Sequence, residues 1–171
     1  MLTKPINEEF PSYFEKYIDL VSEGSLEDAL NKQLEDTSAL LSGLSETQAN
    51  YRYALDKWTL KEVIGHITDT ERIMSYRLLR IARGDQSPLA GYDDESYVKE
   101  AAFHSCSLPE LLKDFSAVRQ STVSLVRSLP EDVWSRKGIA NNSEISVRAL
   151  AYIIAGHELH HVKIIKDKYL I

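Results

Sequence analysis

The stretch Gly156-His157-Glu158-Leu159-His160-His161 decides how this chain is read. Around it, Val147, Leu150, Ile154, His157, His161, Ile164 and Lys168 recur at alternating intervals of three and four. A helix gathers such positions on one stripe, the seam along which it packs on other helices. His157 and His161 therefore stand on a face that is otherwise apolar and due for burial. Two buried imidazoles need partners, and their protonated forms would repel each other. At i and i+4 they are also close enough to hold a single ion between them. A pair of core histidines, each hydrogen-bonded to a neighbour, is the competing reading.

Three upstream segments carry the same period. Leu26, Leu30, Leu34, Thr37, Leu41 and Leu44 follow an N-cap serine, Ser25, and stop near Gly43. Thr59-Leu60-Lys61-Glu62 has the form of a capping box and opens a helix that runs to about Arg83, ahead of Gly84 and Pro88. Its seam is Leu60, Val63, Ile67, Thr70, Met74, Leu78 and Ile81, with His66 beside it. Ser107-Leu108-Pro109-Glu110 is a second capping box, followed by Leu111, Leu112, Phe115, Val118, Thr122, Leu125 and Val126 before Pro130.

The remaining segments are less regular. Residues 7–23 read as a short helical lead-in interrupted by Pro11, covering one side of the core. Residues 85–106, with Pro88, Gly91 and Asp93-Asp94, read as a long ordered loop or short helical excursion, a type of segment that often carries function. Residues 130–144 read as a plain connection, and strand-like alternation is nearly absent. The expectation is an all-α single domain over residues 1–171, a four-helix bundle with a short N-terminal helical lead-in.

Composition narrows the function classes. A chain of 171 residues, 43% hydrophobic and 27% charged, is an ordinary globular domain able to bury a core. A net charge of −6, with bases scattered among acids, argues against a nucleic-acid partner, which needs clustered Lys and Arg. The lone cysteine, Cys106, excludes an internal disulfide and a multi-thiolate zinc site, and suits a reducing compartment. Met1 to Glu9 has no apolar run, and no stretch approaches the ~18–20 apolar residues of a membrane span. The expected setting is cytoplasmic and the expected partner a small molecule.

His66, on a different helix, supplies a third imidazole to the pair. Asp69, one turn beyond His66, is placed to orient a ligand ring or bind a metal's water, or else is a solvated helix acid. Glu158 completes His-Glu-x-x-His, in which zinc peptidases use the glutamate as general base. The sequence closes ten residues after His161, before the usual downstream ligand, so the peptidase reading is set aside. A solvated helix acid is then the plainer reading of Glu158. His160 falls on a neighbouring face as a surface or supporting residue, and His104 and Cys106 are loop residues.

At these residues a family resemblance emerges. Trp58-Thr59-Leu60-Lys61-Glu62, then His66 and Asp69-Thr70-Glu71, resembles the second helix of the DinB-like family. Gly156 to His161 resembles its closing His-x-x-x-His helix, and Gly84 to Asp94 the inter-helix loop of its YfiT-type members. The resemblance implies a four-helix bundle whose divalent metal, zinc or nickel, is held at one end by His66, His157 and His161. It also implies chemistry. Relatives include thiol S-transferases that use bacillithiol or mycothiol, related isomerases, and proteins named as metal-dependent hydrolases, and relatives often dimerise. The expectation drawn from it is first a thiol S-transferase acting on small electrophiles. The alternatives are a hydrolase using metal-bound water and a non-catalytic metal or ligand carrier. Asp69 and Glu158, with Glu62, are the candidate bases or supporting carboxylates.

Overall fold

Hydroxyl side chains set where the four long helices of this chain begin, by taking up N–H groups that a first turn leaves unpaired. The computed structural model describes residues 3–170. Two 3-10 turns, Asn7–Glu9 and Ser12–Phe14, lead into the single-turn α1 (Glu15–Ile18). Ser25 caps α2 (Leu26–Leu41), and Ser45 caps the short α3 (Glu46–Ala49). Thr59 and Glu62 form a reciprocal capping box on α4 (Leu60–Ala82). Asp93 caps α5 (Asp94–Ala101). Ser107 and Glu110 repeat the capping box on α6 (Leu108–Arg127), and Ser146 caps α7 (Val147–Lys168).

The four long helices make the expected bundle. α4 packs on α6 and α7, and α2 packs on the same two. Thus α2 faces α4, and α6 faces α7, across the diagonals of the bundle. Successive helices in the order α2, α4, α6 and α7 are not all neighbours, unlike a simple up-and-down bundle.

The core is in two parts. One holds Leu26 and Leu30 of α2, Met74 to Ala82 of α4, Val123 and Val126 of α6, and the first half of α7. The other holds Leu41, Leu60 to Ile67, Leu108 to Phe115 and Ile165. Between them each helix places polar residues: Gln33 and Thr37, Glu71, Arg119, and Glu158, all buried. Arg119 Nε and Nη2 donate to the Glu71 carboxylate at 2.8–3.1 Å, and Nη1 donates to the Leu30 carbonyl and to Gln33 Oε1 at 3.2 Å. Nη1 also lies 2.6 Å from Glu158 Oε2, an ion pair without directed hydrogen-bond geometry, while Thr37 Oγ1 donates to Glu158 Oε1 at 2.6 Å.

Two segments depart from expectation. Residues 130–144 are not a plain connection, because Lys137–Ala140 (β1) pairs antiparallel with Ser143–Ser146 (β2). Strands of four residues are too short to show alternation. The signal was the turn itself, Asn141-Asn142, both at positive φ (49° and 60°), a conformation asparagine tolerates. The lead-in is two 3-10 turns and one α-turn rather than a single interrupted helix. It does cover the core: a Cβ on Gly156 would lie 2.0 Å from the Tyr17 carbonyl oxygen, so only glycine lets α1 approach α7 this closely.

The hairpin also fixes the loop before α5. Leu89 N donates to the Ile139 carbonyl at 2.9 Å, and Asn141 N to the Leu89 carbonyl at 3.0 Å. That pairing holds residues 89–94 against the flank of the bundle, next to α4.

Candidate metal centre

His66 sits in the second turn of α4, His157 at the middle of α7 and His161 one turn further on, and α4 and α7 pack together. His66 Nε2 is 3.1 Å from His157 Nε2, and His161 Nε2 is 3.2 Å from the same atom. The three donor atoms lie within 4.8 Å of one another. His66 and His157 are buried, and His161 is partly so.

Burial pushes His66 down to about 4, with Asp94 opposing, and pushes His161 down to about 3, helped by His66 and His160. Burial and the three neighbouring imidazoles hold His157 well below the usual range. All three rings are therefore neutral at pH 7. A neutral ring nitrogen either donates one hydrogen or accepts into one lone pair. His157 Nε2 faces two other Nε2 atoms, so hydrogen bonds alone leave this trio poorly satisfied. One cation facing three lone pairs satisfies it. Bonds of ~2.0–2.1 Å to imidazole in a tetrahedral site separate the nitrogens by about 3.3 Å, close to the spacing found. The donor set fits a divalent ion.

Aromatic rings fix the imidazoles. Trp58 packs on His66 with centroids 4.7 Å apart, and its Nε1 donates to Glu95 Oε2 at 3.1 Å. Tyr17 meets His157 and His160 edge-on, at 5.3 and 5.2 Å. A cavity of about 330 Å³ opens beside the cluster. Its walls include Phe14 and Tyr17 from the lead-in, Thr70, Met74 and Arg77 from α4, Tyr92 from the loop, Asp94 at the start of α5, Ile145 of β2, and Ile153 of α7.

The other expected site residues stand elsewhere. Asp69 is half-buried, accepts from Arg72 Nη1 at 3.1 Å, and does not line the cavity. Glu62 serves the capping box of α4. Glu158 is not a solvated helix acid: it is 1% exposed, faces Arg119 and does not line the cavity. Burial pushes its carboxyl up, against the pull of Arg119. His160 is partly exposed beside Tyr17, as a supporting residue would be. Thr70 and Arg77 were missed although both repeat on the His66 stripe, four and eleven residues on. Tyr92 and Asp94 follow a loop tied to the hairpin at Leu89 and to α4 at Ala90, ties that no periodicity reveals.

Comparison with known proteins shows the family and the fold. The DinB superfamily model matches residues 29–165, which include all three histidines. The chain belongs to the DinB superfamily. A proposed metal-dependent hydrolase of Oceanobacillus iheyensis is 27% identical over 130 residues, 74% of this chain and 73% of that protein. Among solved structures, this DinB-superfamily chain superposes on YfiT from Bacillus subtilis with a TM-score of 0.77. The match has 14% identity and covers 96% of this chain and 90% of that one. YfiT is described as a probable metal-dependent hydrolase with an unusual four-helix bundle topology. A mycothiol-dependent maleylpyruvate isomerase matches at a TM-score of 0.64 and 17% identity, covering 86% of this chain and 62% of that one. Among the described residues no helix is long and apolar enough to cross a membrane.

Proposed function

We propose that this DinB-superfamily protein is a metal-dependent hydrolase of a small molecule, its divalent ion held by His66, His157 and His161. The observation that carries the reading is the convergence of three neutral, largely buried imidazole nitrogens beside a cavity of small-molecule size. Among the described residues no fourth protein ligand joins them, the open arrangement of catalytic rather than structural sites. Zinc or nickel is the ion proposed, since imidazole suits both. A divalent ion there supplies Lewis acidity and a lowered pKa for water.

The chain's own residues supply the rest. Trp58 and Tyr17 shield the imidazoles from bulk water and hold their orientation. Thr70 Oγ1 and Tyr92 Oη are 3.0 Å apart, so one hydroxyl donates to the other and the second hydrogen is left for substrate. Asp94, the carboxylate that lines the cavity, is assigned as proton acceptor. Asp69 and Glu158 are assigned to holding α4 and α7 through Arg72 and Arg119. Transfer to a low-molecular-weight thiol, the first expectation from sequence, has the fold of the isomerase behind it and no cavity residue that identifies a thiol. It ranks behind hydrolysis.

The test combines elemental analysis with turnover. Untagged protein prepared without chelator should carry about one zinc or nickel per chain. His66→Ala, His157→Ala and His161→Ala should lose it with helical circular dichroism intact, whereas His160→Ala keeps it. Ester and amide panels should give metal-dependent hydrolysis without added thiol. Absence of metal sinks the proposal, and turnover that strictly requires a thiol replaces it with the transferase.

A further inference from the structure

Arg77 is a buried cavity residue whose charge the hydrolytic reading leaves unused. It is 5% exposed, yet among the described residues no carboxylate pairs with it. The other arginines packed into the fold all have one: Arg119 has Glu71 and Glu158, Arg148 has Glu9, and Arg80 has Asp85. Arg77 Nη2 donates to the Ala90 carbonyl at 2.7 Å, and Nη1 lies 3.7 Å from Met74 Sδ. Its guanidinium carbon is 5.7 Å from the centre of the Tyr92 ring. A guanidinium has five N–H donors, so these contacts leave most of its donors without an acceptor, and its charge meets a ring face but no anion. Tethering the loop at Ala90 explains one hydrogen bond. It does not explain a buried cation, which is costly without an anion beside it.

The stripe of α4 that bears Arg77 shows where an anion would lie. His66, Thr70, Met74 and Arg77 all line the cavity, and at about 100° per residue they fall within about 80° of one another. Eleven residues at ~1.5 Å rise put the Arg77 backbone about 16 Å along the helix from that of His66. Met74, Ile145 and Ile153 make the wall between the two ends apolar. Besides Arg77, the charged groups at the cavity are Lys16 and Asp94. Lys16 is exposed, and Asp94 is exposed on the loop side, where its charge acts on His66. Arg77 also borders a second cleft beyond Tyr92, lined by Pro88 to Gly91 and Tyr97, so its charge serves the outer end of the site.

We propose that Arg77 anchors a carboxylate on the substrate, making the substrate an acid with an apolar body whose cleavable bond lies at the histidines. The placing of the cleavable bond rests on the hydrolytic reading; the carboxylate site does not. A single planar guanidinium fork matches a carboxylate, which it binds through two parallel hydrogen bonds.

Titration calorimetry on the full chain, as purified and after chelation, with hexanoate, hexanamide and hexyl phosphate, tests this. Hexanoate should bind at least about tenfold more tightly than hexanamide, and Arg77→Met should remove about ten- to a hundredfold of hexanoate affinity, with Arg77→Lys between. The preference should survive chelation and survive in His157→Ala. Should Arg77→Met fail to fold, the Arg77 Nε–Hε resonance of wild-type protein decides: a shift on adding hexanoate supports the site, and no shift overturns it. Equal binding of hexanoate and hexanamide overturns it, as does a preference that vanishes on chelation, which would put the carboxylate at the histidines. Tighter binding of hexyl phosphate overturns the assignment of a carboxylate. A protein that lacks metal but keeps the preference refutes hydrolysis alone; one that hydrolyses esters without the preference refutes Arg77 alone.

Discussion

Replacing Arg119 by methionine removes the cation at the centre of the polar layer while keeping most of its apolar volume. The guanidinium is fully buried, and Glu71 and Glu158 together bring it two carboxylates. Burial disfavours its charge, and those carboxylates more than restore it. Without Arg119 both remain buried opposite an uncharged side chain, and the Leu30 carbonyl and Gln33 Oε1 each lose a donor. Breaking a buried pair in this way costs about 3–5 kcal/mol. Against a total of ~5–15 kcal/mol for a domain, the variant should be folded only marginally.

The assay is urea denaturation followed by circular dichroism, at pH 7 and pH 5. Burial raises the Glu158 carboxyl already, and losing Arg119 removes the charge that opposes that rise. A carboxyl whose folded pKa exceeds its unfolded value binds its proton first in the folded state, so its stability contribution is present in acid and lost as pH rises. The deficit of Arg119→Met should therefore be smaller at pH 5 than at pH 7. On a Glu158→Gln background the same substitution should cost less, by about 1–3 kcal/mol of coupling. A deficit below about 1 kcal/mol at pH 7, unchanged by pH and by Glu158→Gln, would refute the reasoning.

Three further outcomes are expected. Gly156→Ala should destabilise by about 1–3 kcal/mol, because the new methyl meets the Tyr17 backbone rather than a flexible side chain; wild-type urea midpoints in this variant would sink the close approach. In chelated protein, His66 is depressed from 6.5 to about 4, so its contribution is full above the unfolded value and lost as pH falls toward 4. That loss is about 3 kcal/mol, and a His66→Phe variant should lose correspondingly less between pH 7 and pH 4.5; equal losses contradict the burial argument. Arg127→Gln breaks a surface pair with Glu27 and should leave the urea midpoint where it was, a shift as large as that of Gly156→Ala counting against a surface assignment.

The four long helices were legible because caps and seams coincide with them. Ser25, Thr59, Ser107 and Ser146 all cap where a helix was expected, and most seam residues are buried or partly buried, although Lys168 is exposed and Ile165 rather than Ile164 is buried near the end of α7. The pairing of His157 with His161 was legible for the same reason, since i and i+4 share a face. The hairpin was hidden because four-residue strands carry no period, and with it went the loop tie that brings Tyr92 and Asp94 to the cavity. Arg77 was hidden by its type. An arginine on a long helix reads as solvated unless its stripe is traced back to a residue already assigned to the site.

Glu158 shows a more general difficulty. The reading of it as a solvated acid follows from placing one seam on α7 and treating the remaining faces as surface. From Val147 to Glu158, however, α7 is buried on all sides except at Arg148, with Ala149, Ala151, Tyr152 and Ile153 enclosed beside the seam residues. A helix surrounded in this way has no solvated face for an acid, so a carboxylate there must meet a cation from another helix. The cation is Arg119 of α6, and the consequence reaches the site. A rise of one residue turns the helix by about 100°, so His157 faces α4 and the cavity while Glu158 faces α2 and α6. Fixing Glu158 between Arg119 and Thr37 therefore fixes the rotation of α7 and with it the direction of the His157 ring. In this chain the glutamate of His-Glu-x-x-His is built into the core, and its influence on the three histidines is transmitted through the helix they share.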